Sequence, residues 1–158
     1  MILEDTRQQA GKHNNVERYL SQAHIPWERQ ALFVGDYIQA HDGRRAVDTK
    51  QSVLELIHDI CSGDHERFAR ECERAQAAGI RLLILTEDLL PPGGIGAWTA
   101  PRSRSGKPLT AVSPVTLRRA MITMTAKYGV AFRFCDARST GRLVVEYLTL
   151  GTIEGVTV

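Results

Sequence analysis

The sequence is poor in the features that mark secreted and membrane-spanning chains. It has only three cysteines, an odd number at Cys61, Cys72 and Cys135, which argues against a disulfide framework and favours a reducing compartment such as the cytoplasm. No apolar run approaches the roughly 18–20 residues of a membrane helix. The opening residues MILEDTRQQ also lack the apolar core of a secretory signal. These absences predict a globular cytoplasmic chain with no membrane partner.

The sequence also has almost no excess of either charge, since its 20 basic and 18 acidic residues give a net charge of +2. Lysine is scarce: 16 of the 20 basic residues are arginine. The planar guanidinium group suits phosphate and carboxylate partners, so this composition favours a nucleic acid slightly.

Strand-like and helix-like segments alternate along the 158 residues, which predicts an α/β fold in a single domain over 1–158. The apolar run RLLILT predicts a central buried strand. The other predicted strands cover 2–5, 27–34, a short stretch after Asp36, 45–49 and 130–134. The predicted helices cover 14–24, 52–61, a segment from Ser62–Asp64 to Ala78, and 114–128, while a helix or a strand fits 139–150.

Two acids and a lysine flank the predicted hairpin near Asp42 and Gly43. Asp48 and Lys50 share one strand face because residues i and i+2 point the same way. A two-residue loop would pair Asp36 with Thr49 and turn it away. A three-residue loop ending on Gly43 in the left-handed region would instead pair Asp36 with Asp48, and a glycine there favours that loop.

That second register would set two carboxylates beside one ammonium group. Carboxylate oxygens are the ligands that Mg²⁺ prefers, and a bound cation polarises a phosphate and acidifies a water. The lysine would hold that water or stabilise the charge developing on the phosphate. This grouping suits phosphodiester hydrolysis, and the alternative is a solvated hairpin with ordinary surface charges.

Several blocks in order resemble the XPF-type (excision-repair cross-complementing group four) nuclease domain of the PD-(D/E)XK superfamily. That family has V-D-x-R-E, then G-D-Y/F, then E-R-K-x-x-x-D. The corresponding segments here are LEDTRQ (3–8), VGDY (34–37) and VDTKQSVLEL (47–56). The segments 62–87 and 127–135 also resemble the family's continuation, so the resemblance covers mainly residues 2–90.

The resemblance implies a restriction-endonuclease-like mixed β-sheet flanked by helices, and a DNA endonuclease that depends on Mg²⁺ or Mn²⁺. Carried over by position, Asp36, Asp48 and Lys50 would be catalytic, Asp5 would join Asp36 and Asp48 at the metal, and Arg7 would support the site or bind phosphate. The family also implies branched or flapped DNA as the substrate, and a homodimer or a separate DNA-targeting subunit as partner.

Four positions depart from the family pattern. Gln8 replaces a glutamate, Asp48 replaces the usual glutamate, and Thr49 replaces the arginine of E-R-K. The trailing aspartate is missing at its usual offset, and Glu55, one place later, is the substitute expected to support the site. These departures keep two alternatives open: a catalytically inactive nucleic-acid-binding pseudo-nuclease, or a phage or mobile-element accessory protein.

The segment 91–108 carries four prolines and four glycines, which predicts a long flexible loop. Four of its residues suit contact with DNA, namely one stacking ring and three phosphate-pairing charges: Trp98, Arg102, Arg104 and Lys107. The alternative is a solvated loop whose tryptophan pins it to the body of the protein.

Two further sets have simpler interpretations. His58, Cys61, His65 and Cys72 do not match the spacing of known zinc fingers or ribbons, so the cysteines are expected in the core. His13, beside Lys12, could contact a phosphate, although an ordinary surface histidine is the simpler interpretation.

Overall fold

A computed structural model describes residues 1–8, 11–12 and 14–152, so His13 and residues 153–158 lie outside the described residues. Six strands form one sheet in the order β2-β1-β3-β4-β5-β6. The strands are β1 (Ile2–Asp5), β2 (Trp27–Gln30), β3 (Tyr37–Gln39), β4 (Asp42–Lys50), β5 (Arg81–Thr86) and β6 (Ala131–Phe134). The helices are α1 (Asn14–Gln22), α2 (Val53–Cys61), α3 (His65–Ala77), α4 (Pro114–Tyr128) and α5 (Thr140–Leu150).

The sheet is mixed, and its strand directions bring distant residues to one edge. β4, β5 and β6 run parallel, while β3 is antiparallel to both β4 and β1. The end of β1, the start of β3 and the end of β4 therefore meet at the same edge. Asp5, Asp36 and Lys50 stand at these three positions, so the topology alone gathers them.

Helices cover both faces of the sheet, as its alternating side chains require. On one face Ala46, Leu82 and Ile84 pack with α2, α3 and α4 in one hydrophobic core. On the other face Val47 and Leu83 pack with α1 and α5 in a second core. β5 is buried along almost its whole length, which confirms the predicted central strand. The predicted α/β class with a restriction-endonuclease-like mixed sheet is confirmed as well.

Several element boundaries differ from the sequence prediction. β2 ends at Gln30 and not at 34, because the Leu32 N–H donates to the Asp5 carboxylate (3.3 Å) instead of continuing the strand. The ambiguous segment 139–150 is helix α5. Among the described residues, no helix combines the length and the apolar character needed to cross a membrane.

The β3–β4 turn was predicted wrongly, both in the residues that form it and in the conformation of Gly43. Tyr37 pairs with Val47, and the ladder ends there: the Asp36 N–H also donates to the Val47 carbonyl oxygen (2.8 Å). Gln39 pairs with Asp42, so the turn consists of residues 40–41 only, and the register shift next to it leaves residues 43–45 as a bulge on β4. Gly43 has no positive φ, because the bulge absorbs the extra residues that a left-handed glycine was expected to accommodate.

The glycine that this hairpin does need is Gly35. Its φ is +70°, and an added Cβ would lie 3.0 Å from the carbonyl oxygen of Val47. Both the left-handed backbone and the close approach to β4 exclude larger side chains. The Gly-Asp pair of the sequence is therefore a backbone requirement that fixes where Asp36 enters the sheet.

Candidate active site

A cleft of about 600 Å³ opens at the sheet edge where β1, β3 and β4 meet. Helices α2 and α3 form its other side. Its polar lining residues include Asp5, Arg7, Gln8, Lys12, Asp36, Asp48, Thr49, Lys50, Glu55, His58, Asp59, Asp64, Arg67, Arg70, Glu71 and Arg74. Every residue that the sequence assigned to catalysis, metal binding or site support therefore lines one cleft.

Both the backbone and the side chain of Asp36 form hydrogen bonds with β4. Its N–H donates to the Val47 carbonyl oxygen (2.8 Å). Its Oδ2 accepts from the backbone N–H and from the hydroxyl of Thr49, at 2.7 Å each. Thr49 departs from the family pattern, but its hydroxyl orients the acid that defines the site.

Lys50 lies between two acids at the floor of the cleft. Its Nζ is 2.8 Å from Asp48 Oδ2 and 2.7 Å from Asp59 Oδ2, and it stands 4.9 Å from the centre of the Phe68 ring. Asp48, Lys50 and Asp59 are only 5%, 7% and 4% exposed. Asp48 and Lys50 thus share a face as predicted, and burial makes this a tightly constrained ion cluster.

Asp59 was missed by the sequence analysis. It lies on α2, three residues after Leu56 and next to Ile60, both of which are buried. An acid on the apolar face of an amphipathic helix needs a partner, and that partner is Lys50. The isolated acid on the apolar face was a signal that could have found it.

The floor holds perturbed ionisable groups. Burial raises the pKa of Asp48 well above its usual range, the Asp36 and Glu71 carboxylates raise it further, and the Lys50 ammonium opposes them. Burial acts to lower the pKa of Lys50, but Asp48 and Asp59 outweigh it and raise that pKa above its ordinary value. Lys50 stays charged at neutral pH, while Asp48 lacks enough positive charge around it.

The donor set suits a divalent cation. Asp36 and Asp48 supply carboxylate oxygens at the cleft floor, and these hard donors match Mg²⁺ or Mn²⁺. Burial first, and then the Asp36 and Glu71 carboxylates, raise the pKa of Asp48, and a bound cation would favour its charged form.

Asp5 lies in the same cleft but has other partners than a metal. Its Oδ2 is 2.8 Å from the Arg7 guanidinium, and its Oδ1 accepts from the Leu32 N–H. Arg7 in turn donates to the Leu32 carbonyl oxygen. Asp5 thus fixes Arg7 at the cleft wall, and its ligation of a metal stays a prediction.

Glu55 is also engaged elsewhere. Its N–H donates to the Ser52 side chain (3.2 Å), and its Oε2 accepts from the Gln51 N–H (2.7 Å), so the pair caps α2. Its Oε1 pairs with Lys12 at 2.5 Å. Glu55 therefore supports the site by anchoring the start of α2 beside Lys50.

The four histidines and cysteines considered for zinc do not converge. Cys72 lies on α3 and is fully buried in the core. The ligand atoms of His58 come within 4.8 Å of Asp59 and Asp64 instead. The Arg67 guanidinium already lies 3.1 Å from Asp64, so the protein itself supplies positive charge to that group.

The predicted DNA-binding segment is folded more fully than expected. A 3₁₀ helix spans Gly94–Ala97, and residues 101–109 form a small hairpin in which Leu109 N–H donates to Pro101 and Ser103 N–H to Lys107. Trp98 is only 7% exposed and packs in the core. Its ring therefore has no free face on which a base could stack. This corrects the predicted stacking role and agrees with the alternative, in which the tryptophan anchors the loop to the body of the protein.

The three charges of that segment, Arg102, Arg104 and Lys107, are exposed on the hairpin. They do not line the cleft, whereas three arginines of α3 that the sequence analysis passed over do: Arg67, Arg70 and Arg74. Glu71 of the same helix was missed too, and its Oε1 accepts from the Gly35 N–H (2.9 Å). The recurrence of arginine every three to four residues was the available signal for this face.

The comparisons with known proteins agree with this architecture. The family model of the ERCC4 domain matches residues 5–146. The fold is similar to that of "XPF from Aeropyrum pernix", with a TM-score of 0.66 and 19% identity, over 97% of this chain. The chain spans 65% of the length of that protein. No curated protein matches the sequence at a significant level. The chain belongs to the ERCC4-domain family.

Proposed function

We propose that this protein is a metal-dependent DNA endonuclease that hydrolyses phosphodiester bonds. The observation that carries the proposal is the buried floor of the cleft, where Lys50 is held between Asp48 and Asp59, while Asp36 lines the same cleft. Burying several charges together is costly. A fold that tolerates this cost at the edge of a cleft supports a catalytic role for these groups.

The residues divide the chemistry among them. Asp36 and Asp48 would hold Mg²⁺ or Mn²⁺, which supplies Lewis-acid chemistry by polarising the phosphate and acidifying a water. Lys50 orients that water or stabilises the developing charge on the phosphate. Thr49 orients Asp36, and Asp59 keeps Lys50 charged and in place.

Outside the floor, Arg7 is positioned to bind the substrate. Asp5 and the Leu32 carbonyl hold the Arg7 guanidinium at the cleft wall, where it suits a phosphate of the DNA backbone. Branched or flapped DNA as the preferred substrate, and a homodimer or a separate DNA-targeting subunit, belong to this proposal as well. They rest on membership of the family.

Cleavage of labelled linear, flapped and four-way DNAs with Mg²⁺, Mn²⁺ or EDTA tests the proposal. We expect cleavage that needs the metal and disappears in Asp36→Asn. Asp42→Asn is the matched control, because Asp42 is an acid at the other end of the same hairpin and pairs only with exposed or half-buried arginines. DNA binding without cleavage in either metal would favour the pseudo-nuclease instead, and metal-independent cleavage would contradict the assigned chemistry.

A further inference from the structure

The floor and the α3 wall of the cleft carry net charges of opposite sign, although Lys50 lies on the floor and Glu71 on the wall. The buried acids Asp48 and Asp59 lie on the floor. The three α3 arginines, Arg67, Arg70 and Arg74, are exposed and form one wall. An acidic floor suits a cation, whereas a row of exposed guanidinium groups beside it suits a polyanion.

The amphipathic pattern of α3 explains why the arginines face the cleft. Phe68, Cys72 and Ala75 are buried against the core. Arg67, Arg70 and Arg74 recur at the helical spacing on the neighbouring face. Arg67 pairs with the half-buried Asp64 at 3.1 Å and lies 3.9 Å from the buried Asp59, while Arg70 lies 4.0 Å from the exposed Glu66. The exposed pairs among these contribute little and are easily exchanged for phosphate.

Helix α3 is also tied to the proposed metal site. The Glu71 carboxylate, between Arg70 and Arg74, accepts from the N–H of Gly35, the residue next to Asp36. The backbone conformation of Gly35 is open only to glycine. The hydrogen bond therefore fixes the position of α3, and of its arginines, relative to Asp36.

We infer that Arg67, Arg70 and Arg74 form a track for the DNA backbone, which grips the phosphates on one side of the scissile bond. Arg74 lies seven residues after Arg67, which is about 10 Å of helix at 1.5 Å per residue. One DNA strand rises 3.4 Å per nucleotide, so the row matches about three nucleotides. The contact is to phosphate and therefore independent of base sequence. This inference rests on the proposed function, since it deepens the account of the same cleft.

The test is steady-state cleavage kinetics of a triple variant, Arg67→Gln/Arg70→Gln/Arg74→Gln, at several salt concentrations. We expect KM for DNA to rise at least tenfold while kcat changes less than about threefold. The plot of log(kcat/KM) against log[salt] should flatten by about 0.9 for each lost phosphate contact, and by about 2.7 for three. The expected effect is the same for DNAs of unrelated sequence.

Two matched variants distinguish the effect of the arginine row from effects of net charge or of misfolding. Arg119→Gln/Arg138→Gln/Arg142→Gln removes the same charge from exposed positions outside the cleft and should keep the parental salt slope. Arg67→Lys/Arg70→Lys/Arg74→Lys keeps the charge and should restore most of the slope. An unchanged slope in the glutamine row variant, or an equal flattening in the control, would overturn the track while leaving the nuclease intact. A parent protein that cleaves no DNA with either metal would overturn the proposed function and this inference with it.

Discussion

The cleft floor and the 101–109 hairpin are both rich in charge, but they hold their charges in different ways. In the hairpin, Arg102, Arg104 and Lys107 are exposed, and the hydrogen bonds that shape it join residues within 101–109. In the floor, Asp48 and Lys50 are buried, and the groups around them come from β3, β4, α2 and α3.

This difference separates two kinds of function. A buried charge held by distant segments has a fixed position and a perturbed pKa, as chemistry requires. An exposed charge on a local hairpin keeps its freedom and can only attract a polyanion. Substitutions in the floor should therefore change kcat, whereas substitutions in the hairpin should change affinity and its salt dependence.

The largest expected effect is the loss of cleavage in Asp36→Ala and in Asp48→Asn. Both residues are proposed to hold the metal, while neither is needed for the hydrophobic cores. Single-turnover cleavage, with circular dichroism and DNA binding as controls, measures the effect. Cleavage by either variant within several-fold of the parent would remove the floor from the mechanism.

Lys50→Met should reduce kcat by about 10²–10³-fold, the usual cost of removing one positioned charge from a transition state. It should also lower the free energy of unfolding by about 3–5 kcal/mol, because Asp48 and Asp59 are left buried without their cation. Denaturant unfolding checks the second part. Adding Asp59→Asn should recover some stability and no activity, whereas joint recovery would make Lys50 purely structural.

The effect of Asp48 on the free energy of unfolding should depend on pH. Because the pKa of Asp48 is raised in the folded state, the fold gains stability from its protonation below the unfolded pKa of about 3.9, and loses it as pH rises through the folded pKa. Asp48→Asn should therefore be more stable than the parent at pH 8 and equal to it near pH 3. A constant difference at both pH values in denaturant unfolding would contradict the raised pKa.

Thr49→Val should lower kcat about tenfold, because it removes the hydroxyl bond to Asp36 and keeps the backbone one. One such hydrogen bond contributes about 1–1.5 kcal/mol, and 1.4 kcal/mol is tenfold in rate. Thr49→Ser is the matched control and should keep the parental rate. Equal kinetics for the valine and serine variants would show that the backbone N–H orients Asp36 alone.

The smallest expected effect is in the hairpin. Replacing Arg102, Arg104 and Lys107 with glutamine should leave kcat unchanged and flatten the salt plot by about 0.9 for each lost phosphate contact. Binding measured over a range of salt concentrations checks it. An unchanged slope would mean that the hairpin charges are ordinary surface groups.

The same contrast shows what the sequence could predict. Local patterns sufficed for the α/β class, the central strand β5, and the shared strand face of Asp48 and Lys50, because alternation acts over short distances. The sequence analysis expected the left-handed glycine of this hairpin at Gly43, although Gly35 carries the positive φ. Side chains were harder: nothing in the spacing of Trp98 shows whether it packs inward.

The partners of the floor residues were beyond local patterns. Asp59 reaches Lys50, and Glu71 reaches Gly35, only once α2 and α3 dock on the sheet. The partners of Asp5 and Glu55 were not predicted either, since Arg7 and Lys12 meet them only in the folded chain. Position in a motif predicted that these acids enter the cleft, but not what they bind there.

The most direct test of the account is Mn²⁺ binding to the isolated protein, followed by electron paramagnetic resonance in the absence of DNA. We expect a site in the parent and in Asp42→Asn that is strongly weakened in Asp36→Asn and in Asp48→Asn. It should persist when Arg67, Arg70 and Arg74 are replaced. Equal Mn²⁺ affinity in the parent and in both floor variants would contradict the claim that Asp36 and Asp48 form the metal site.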